Sequence, residues 1–202
     1  MVINIGFPKQ YLNQVIDIFL SGFEEKFAYI IKDNKNSYEI YSLLLTNENF
    51  IYIEDKGELL GILTYSIKEK SEQRIHLRQI IKLMGIRKGI KVACKLSVFI
   101  HKVQKEELYI DYIAVNQNSR GKGIGTKLLH KALEIANEYN KQSVSLQVIN
   151  TNPRAKKLYE SMGFVTIKEV SISPINKWLK WSFDRVYHLQ LDIPMFLEDN
   201  KL

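Results

Sequence analysis

Cysteine occurs once in 202 residues, proline four times, and no apolar run is long. Each scarcity excludes something. A lone thiol, Cys94, closes no internal disulfide, which fits a reducing, cytoplasmic setting. Its neighbours Val92, Ala93, Lys95 and Leu96 offer no base, so it reads as a buried structural thiol rather than a nucleophile. No window approaches the roughly 18 consecutive apolar residues that a membrane helix needs, so no membrane partner is expected. Met1 to Gly6 lacks the basic start and apolar run of a signal peptide. His76, His101, His130 and His188 show no ligand spacing, and with one cysteine no metal is expected. There is no repeat, low-complexity tract or Pro/Gly linker. The reading is therefore one domain over residues 1–202.

What is present is ordinary apolar content, 46%, and a net charge of +7 that is unevenly placed. Lys68, Lys70, Arg74, Arg78, Lys82, Arg87, Lys88, Lys91, Lys95, Lys102 and Lys105 face only Glu69 and Glu72 across the same stretch. The segment thus holds more than the whole excess. A nucleic-acid partner would want aromatics interleaved with these cations for stacking. Phe99 alone serves between Ser71 and Lys102, so a solvated helical face is the better reading and a nucleic-acid partner is not expected.

Periodicity gives an α/β order. Val2 to Ile5 is a strand, and a helix beginning near Pro8 follows, which Gly22 is expected to break. Helical stretches at 24–31 and 37–45 come next. Phe50 to Glu54 and Leu59 to Ser66 form a hairpin about the turn Asp55-Lys56-Gly57-Glu58. Residues 71–102 read as two helices, a helical insertion at about 68–105 between the third and fourth strands. Leu108 to Val115 is a strand, Thr126 to Tyr139 a strongly amphipathic helix, and Ser143 to Ile149 another strand. Asn152 and Pro153 open a last helix that ends before Gly163. Two strands, Phe164 to Val170 and Val186 to Leu191, finish the chain, joined by a loop over Ser173 to Asp184.

The chemistry-bearing segment lies between the Leu108 strand and the helix after it: Arg120-Gly121-Lys122-Gly123-Ile124-Gly125-Thr126. Glycines let backbone N–H groups approach an oxyanion, and a helix N-terminus adds unpaired donors and partial positive charge. The plain alternative is a glycine turn with a basic rim. It is not a Walker loop, because Lys127 comes one place late after Gly125 and Thr126. The G-x-G-x-G spacing and the acid-free end of the next strand, Gln147-Val148-Ile149-Asn150, also exclude a dinucleotide fingerprint.

Arg120, Gly123 and Gly125 resemble the R/Q-x-x-G-x-G/A signature of the GNAT N-acetyltransferase superfamily. A second element, Asn152-x-x-Ala155-x-x-Leu158-Tyr159-x-x-x-Gly163-Phe164, is similar to the family's downstream helix. The resemblance covers about residues 108–168 well and the hairpin less closely. Residues 68–105 depart from it, since the family commonly joins those strands by a short turn. It implies a mixed, twisted sheet of about seven strands, helices on both faces, and two central parallel strands that splay apart. It further implies acetyl-coenzyme A as co-substrate, held by Ile113, Ala114, Val115, Arg120, Gly121, Lys122, Gly123, Ile124, Gly125, Thr126, Asn150, Asn152, Ala155 and Tyr159. The reaction implied is direct attack by a primary amine on the thioester, the acceptor being an amine-bearing small molecule or a peptide.

An alkylammonium is only about one part in a few thousand neutral at pH 7, so something must take its proton. Strict strand alternation puts Tyr109, Asp111, Ile113 and Val115 on one face. Asp111, an acid within an apolar strand, is the candidate base; its plain alternative is a structural ion pair or cap. Glu24 and Glu25 are fallback bases. Tyr159 is the candidate acid for the departing thiolate, or else a core tyrosine. Asn152 is a helix cap that can also bond the pantetheine. The insertion is expected to cover the acceptor side and favour acceptors bearing carboxylate or phosphate, or to form a homodimer interface or pack behind the sheet. Two further functions stand beside catalysis: a non-catalytic acyl-coenzyme A-binding module and a basic nucleic-acid-binding protein.

Overall fold

The computed structural model describes residues 1–31, 49–67, 101–174 and 181–193, with isolated positions at 82, 85–87, 89 and 176–177; from 23 to 31 it describes the backbone alone. Seven strands form one mixed sheet: β1 (Val2–Ile5), β2 (Phe50–Asp55), β3 (Glu58–Ser66), β4 (Glu107–Val115), β5 (Ser143–Ile149), β6 (Val165–Ser171) and β7 (Arg185–Asp192), in the order β1-β2-β3-β4-β5-β7-β6. The helices described from end to end are α1 (Leu12–Ile31), α2 (Ile124–Glu138) and α3 (Pro153–Ser161). The β2–β3 turn is the two-residue kind expected, with Lys56 and Gly57 both at positive φ.

The two faces of the sheet are covered differently. Leu128, Leu129, Ala132, Leu133 and Ala136 of α2 pack on Ile51, Leu63, Leu108, Ile110, Val144 and Leu146, and Tyr159 of α3 joins the same cluster. On the opposite face Val15, Ile16 and Phe19 of α1 pack on Phe50, Leu59, Ile62 and Ala114. A third cluster there joins Ile149 and Val186 to Trp181 and Phe183 of the β6–β7 connection. Each fully buried Leu or Ile contributes about 1.5–3 kcal/mol relative to exposure, so the α2 face carries most of the stability.

Three expectations need correction. Gly22 does not break α1, which runs through it to Ile31. A Cβ at Gly22 would lie 2.9 Å from the Cβ of Ala114, so glycine stands there to let the helix lie close on β4. The helix expected over Thr126 to Tyr139 runs from Ile124 to Glu138, and Tyr139 is its C-cap, 55% exposed. Alternation along β4 also fails. The register with β3 shifts between Thr64 and Tyr65, so that Thr64 pairs Tyr112 and Tyr65 pairs Ile110. Asp111 is the extra residue of this bulge. Leu108 and Ile110 before it, and Ile113 and Val115 after it, therefore all reach the α2 face, while Tyr112 and Ala114 turn toward α1.

The stretch 37–45, Cys94, and nearly all of the insertion lie outside the described residues. Within it Lys82, Ile86, Arg87 and Gly89 are helical. No helix among the described residues is long and apolar enough to cross a membrane.

Candidate active site

The parallel pair β4–β5 is hydrogen-bonded at Glu107↔Ser143, Leu108↔Val144, Tyr109↔Ser145 and Ile110↔Leu146, and there the pairing stops. β4 continues to Val115 and β5 to Ile149, so the strands fork. The bulge at Asp111 sits at the fork and turns the chain away. Beyond it β4 is bonded only on its β3 side among the described residues, through Ile113↔Leu63, Ala114↔Ile62 and Val115↔Gly61.

Both helices that follow these strands begin at the mouth of the fork. Gly123, at φ +74°, is the α2 N-cap, and Gly121 stands at φ +81°. Such backbone angles favour glycine. Among the described residues the N–H groups of Ile124, Gly125 and Thr126 make no backbone hydrogen bond of good geometry; the first intrahelical bond runs from Lys127 N–H to Gly123 C=O, 3.0 Å. Gly125 has another reason to be glycine: a Cβ would lie 3.2 Å from Leu158 Cδ2, so α2 presses on α3 there. Arg120 is exposed and its Nη2 donates to Ser21 C=O at 3.4 Å, tying the loop to α1. A Cβ at Gly121 would come 4.0 Å from Arg154 Nη2, which puts a further cation from α3 beside the loop.

On α3, Asn152 is the cap: its side-chain oxygen accepts from Ala155 N–H at 3.1 Å, with Pro153 in the first turn. Tyr159 is 6% exposed and packs beside Phe164, ring centroids 6.1 Å apart. Burial pushes its phenol up, so it is protonated at neutral pH. Asn150 is engaged otherwise: its Nδ2 donates to Asp184 Oδ1 at 3.0 Å, and its Oδ1 accepts from the N–H groups of Asp184 and Arg185.

The α1-side face of the fork is polar. Ser66 donates to Asp111 Oδ2 at 2.7 Å. Glu107, 5% exposed, accepts from His101 Nε2 at 3.0 Å, from Gln104 N–H at 2.8 Å and from Ser145 Oγ. Burial pushes the Glu107 carboxyl up, but these three donors outweigh it and leave it below its usual range. His101 stacks on Tyr109 at 4.2 Å. Burial and the nearby Asp111 charge push the Tyr109 and Tyr112 phenols up.

A glycine-turned helix N-terminus at the mouth of two splayed parallel strands is an anion cradle next to a slot of unpaired backbone. The Acetyltransferase (GNAT) family description matches residues 12–164, three quarters of the chain. The chain belongs to the GNAT acetyltransferase family. The chain spans less than a third of the length of the N-alpha-acetyltransferase 30 proteins it matches. N-alpha-acetyltransferase 30 of Xenopus laevis is 40% identical over 79 residues, a match spanning 39% of this chain and 28% of that protein. Thialysine N-epsilon-acetyltransferase of Bos taurus is 34% identical over 62 residues, 31% of this chain and 36% of that protein. In fold, an N-acetyltransferase from Staphylococcus aureus Mu50 superposes with a TM-score of 0.62 at 16% identity over 95% of this chain and 98% of that one. The ribosomal-protein-S18-alanine N-acetyltransferase of Escherichia coli gives 0.57 at 14% identity, covering 95% of this chain and 93% of that one.

Of the residues singled out in this GNAT chain, Arg120 to Thr126, Ile113 to Val115, Asn152, Ala155 and Tyr159 lie on the fork or on the helices opening from it. Asp111 marks its apex. The side chains of Glu24 and Glu25 lie outside the described residues. Sequence reasoning missed Arg154, Gln147 and His188. Arg154 follows the cap and Pro153 directly, so its place beside the loop had a local signal; the pairing of Gln147 with His188 had none, because it depends on the β5–β7 register.

Proposed function

We propose that this enzyme transfers an acetyl group from acetyl-coenzyme A to a primary amine in a ternary complex. The observation that carries the reading is the fork: paired strands part after Ile110 and Leu146, and the α2 N-terminus opens at the gap. The pyrophosphate would lie on the N–H groups of Ile124 to Thr126, with Arg120, Lys122 and Arg154 as cations around it. The pantetheine would enter the gap and bond the free backbone edge of β4 along Ile113 to Val115. Asn152 keeps its cap, and Asn150 stays with its Asp184 and Arg185 partners, so neither needs to contribute a side chain.

On the α1 side, Asp111 supplies the negative charge that an ammonium seeks, held in place by Ser66. The neutral amine attacks the thioester carbon; the C–N bond forms, the C–S bond breaks, and sulfur leaves with its electron pair. Tyr159 protonates that sulfur. Its donor proton is present at neutral pH, though a coenzyme A thiolate already leaves fairly well and the gain is correspondingly modest. The likeness to N-alpha-acetyltransferases favours an α-amino group of a peptide as acceptor, with small primary amines as the second class.

Thiol release from acetyl-coenzyme A, measured over a panel of short peptides with free N-termini and small primary amines, tests this. Acceptor-dependent release is expected. Tight acetyl-coenzyme A binding with no release for any amine would leave a binding module instead. Tyr159→Phe is expected to lower kcat by about 100-fold, the low end of general-acid catalysis, with the acetyl-coenzyme A Kd unchanged.

A further inference from the structure

The amine's proton needs a destination, and the sheet carries one on the strand beyond β5. Gln147 is the first β5 residue past the last rung shared with β4, as Asp111 is on β4, so the two flank the apex of the fork. Gln147 pairs across the strands with His188 of β7, and its Nε2 lies 3.5 Å from His188 Nδ1. The Gln147 Oε1 atom is buried and has no hydrogen-bond partner among the described residues. Reversing the amide would satisfy Oε1 with the ring N–H and leave the NH2 group buried and unpartnered instead. Either way one buried amide atom is left without a partner among the described residues, which is costly unless a further group, a ligand or water completes it. With the amide reversed, the ring Nδ1–H donates to Oε1 and the ring Nε2 lone pair is the one able to take a proton.

We propose that Gln147 and His188 form the amine-receiving pair of this acyltransferase: the Gln147 amide bonds the acceptor nitrogen and His188 takes its proton, directly or through one water. The inference rests on the transferase reading above. The ammonium gives one proton to neutral His188 and becomes the nucleophile. After attack and loss of the thiolate, the nitrogen gives a second proton to solvent, and Tyr159, having protonated sulfur, recovers its own from solvent. His188 then releases its proton, so the balance is one acetyl moved and one proton freed per turnover.

The surroundings suit the task. Among the described residues, the charged or titratable groups that act on the ring are His101 from the segment before β4, Glu107 from β4 and Lys168 from β6. Burial, His101 and Lys168 push His188 below its ordinary value, so it is neutral and ready at pH 7; Glu107 opposes them. Glu107, ionised and anchored by His101 at 3.0 Å, then offers a countercharge when the ring becomes an imidazolium. The His101 and His188 ring centroids stand 6.1 Å apart, close enough for that field to act. Lys168 is the cross-strand partner of His188 and is exposed, so it can be changed without disturbing the core.

The test is the pH profile of kcat/KM with the best acceptor from the panel, for the parent, His188→Gln and Lys168→Glu, each checked for folding and for acetyl-coenzyme A binding. The parent should show an acid limb below the ordinary histidine range of about 6.5. Lys168→Glu should keep its activity and move that limb to higher pH, because a repulsion becomes an attraction. His188→Gln should lose about 100-fold or more in kcat/KM at pH 7 and lose the limb, with acetyl-coenzyme A binding intact. A His188→Gln enzyme within about twofold of the parent, or an acid limb unmoved in Lys168→Glu, overturns the proposal alone. A parent that binds acetyl-coenzyme A and acetylates nothing overturns the transferase reading and this one with it.

Discussion

The two faces of this sheet are built to different rules. The α2 face is apolar throughout, and its glycines are there for fit: a Cβ at Gly61 would lie 2.8 Å from Ile124 Cγ2 and 3.2 Å from Ala114 C=O. The α1 face near the fork buries polar groups instead: Thr64, Ser66, Glu107 and Ser145, with Asp111, Gln147 and His188 beside them. Close packing explains the first face completely. The second holds groups that packing alone would have replaced with carbon, since each costs stability unless something bonds it. Apolar packing thus gathers on one face, with Tyr159 within it, and buried polar groups on the other, and β4 serves both: its bulge at Asp111 changes which side chains face which way.

The division makes predictions that can break it. The largest effect belongs to the apolar face. Leu128→Ala should cost about 2–5 kcal/mol in chemical denaturation and leave the pH dependence of turnover unchanged. A changed profile would mean that the faces are coupled. Glu107→Gln comes next, at about 1–3 kcal/mol, because three donors lose their charged acceptor. Its pH signature has a definite sign. Folding holds the Glu107 carboxyl below its usual range, so its contribution is present above the unfolded value, about 4.3, and fades as pH falls through the lower folded value. The stability gap between parent and Glu107→Gln should therefore close in acid; a gap constant from pH 7 to pH 3 would contradict the assignment.

Gly22→Ala should cost about 1 kcal/mol even though alanine is the better helix former by about that amount, because the added methyl meets Ala114 at 2.9 Å. A stabilised variant would restore the view of Gly22 as a mere helix irregularity. The smallest change should run the other way. Thr64 is 2% exposed and its Oγ1 has no partner among the described residues. Thr64→Val should stabilise the free enzyme by up to about 1 kcal/mol, read as a raised Tm. Destabilisation would show that the hydroxyl is already satisfied.

Much of this was legible from local pattern. The β5 boundaries, the Asn152–Pro153 helix start, the hairpin turn and the glycine loop each rest on a few neighbouring residues, and the structure reproduces them. What failed was what neighbours cannot encode. Alternation predicted the faces of β4 until Asp111, where a bulge set by pairing with β3 reversed them. Gly22 looked like a helix breaker because its reason to be glycine lies on β4, 92 positions away, at Ala114. His188 looked solitary in sequence because its partner Gln147 is 41 residues distant and meets it only through the β5–β7 register. At the candidate site the motif residues were visible and the polar face opposite them was not, since it is assembled from four strands.

The central claim is that the α2 N-terminus holds the coenzyme, and calorimetric titration of acetyl-coenzyme A into the parent, Gly123→Asn and Gly123→Asp tests it most directly. Gly123 adopts φ +74° with nothing within 4 Å of an added Cβ, and both asparagine and aspartate tolerate that backbone better than other residues do. The pair therefore separates side-chain bulk from charge. The account predicts micromolar-range binding or tighter by the parent, weaker binding by Gly123→Asn, and binding lost in a still-folded Gly123→Asp, where a carboxylate faces the pyrophosphate. Equal affinity in all three would contradict it.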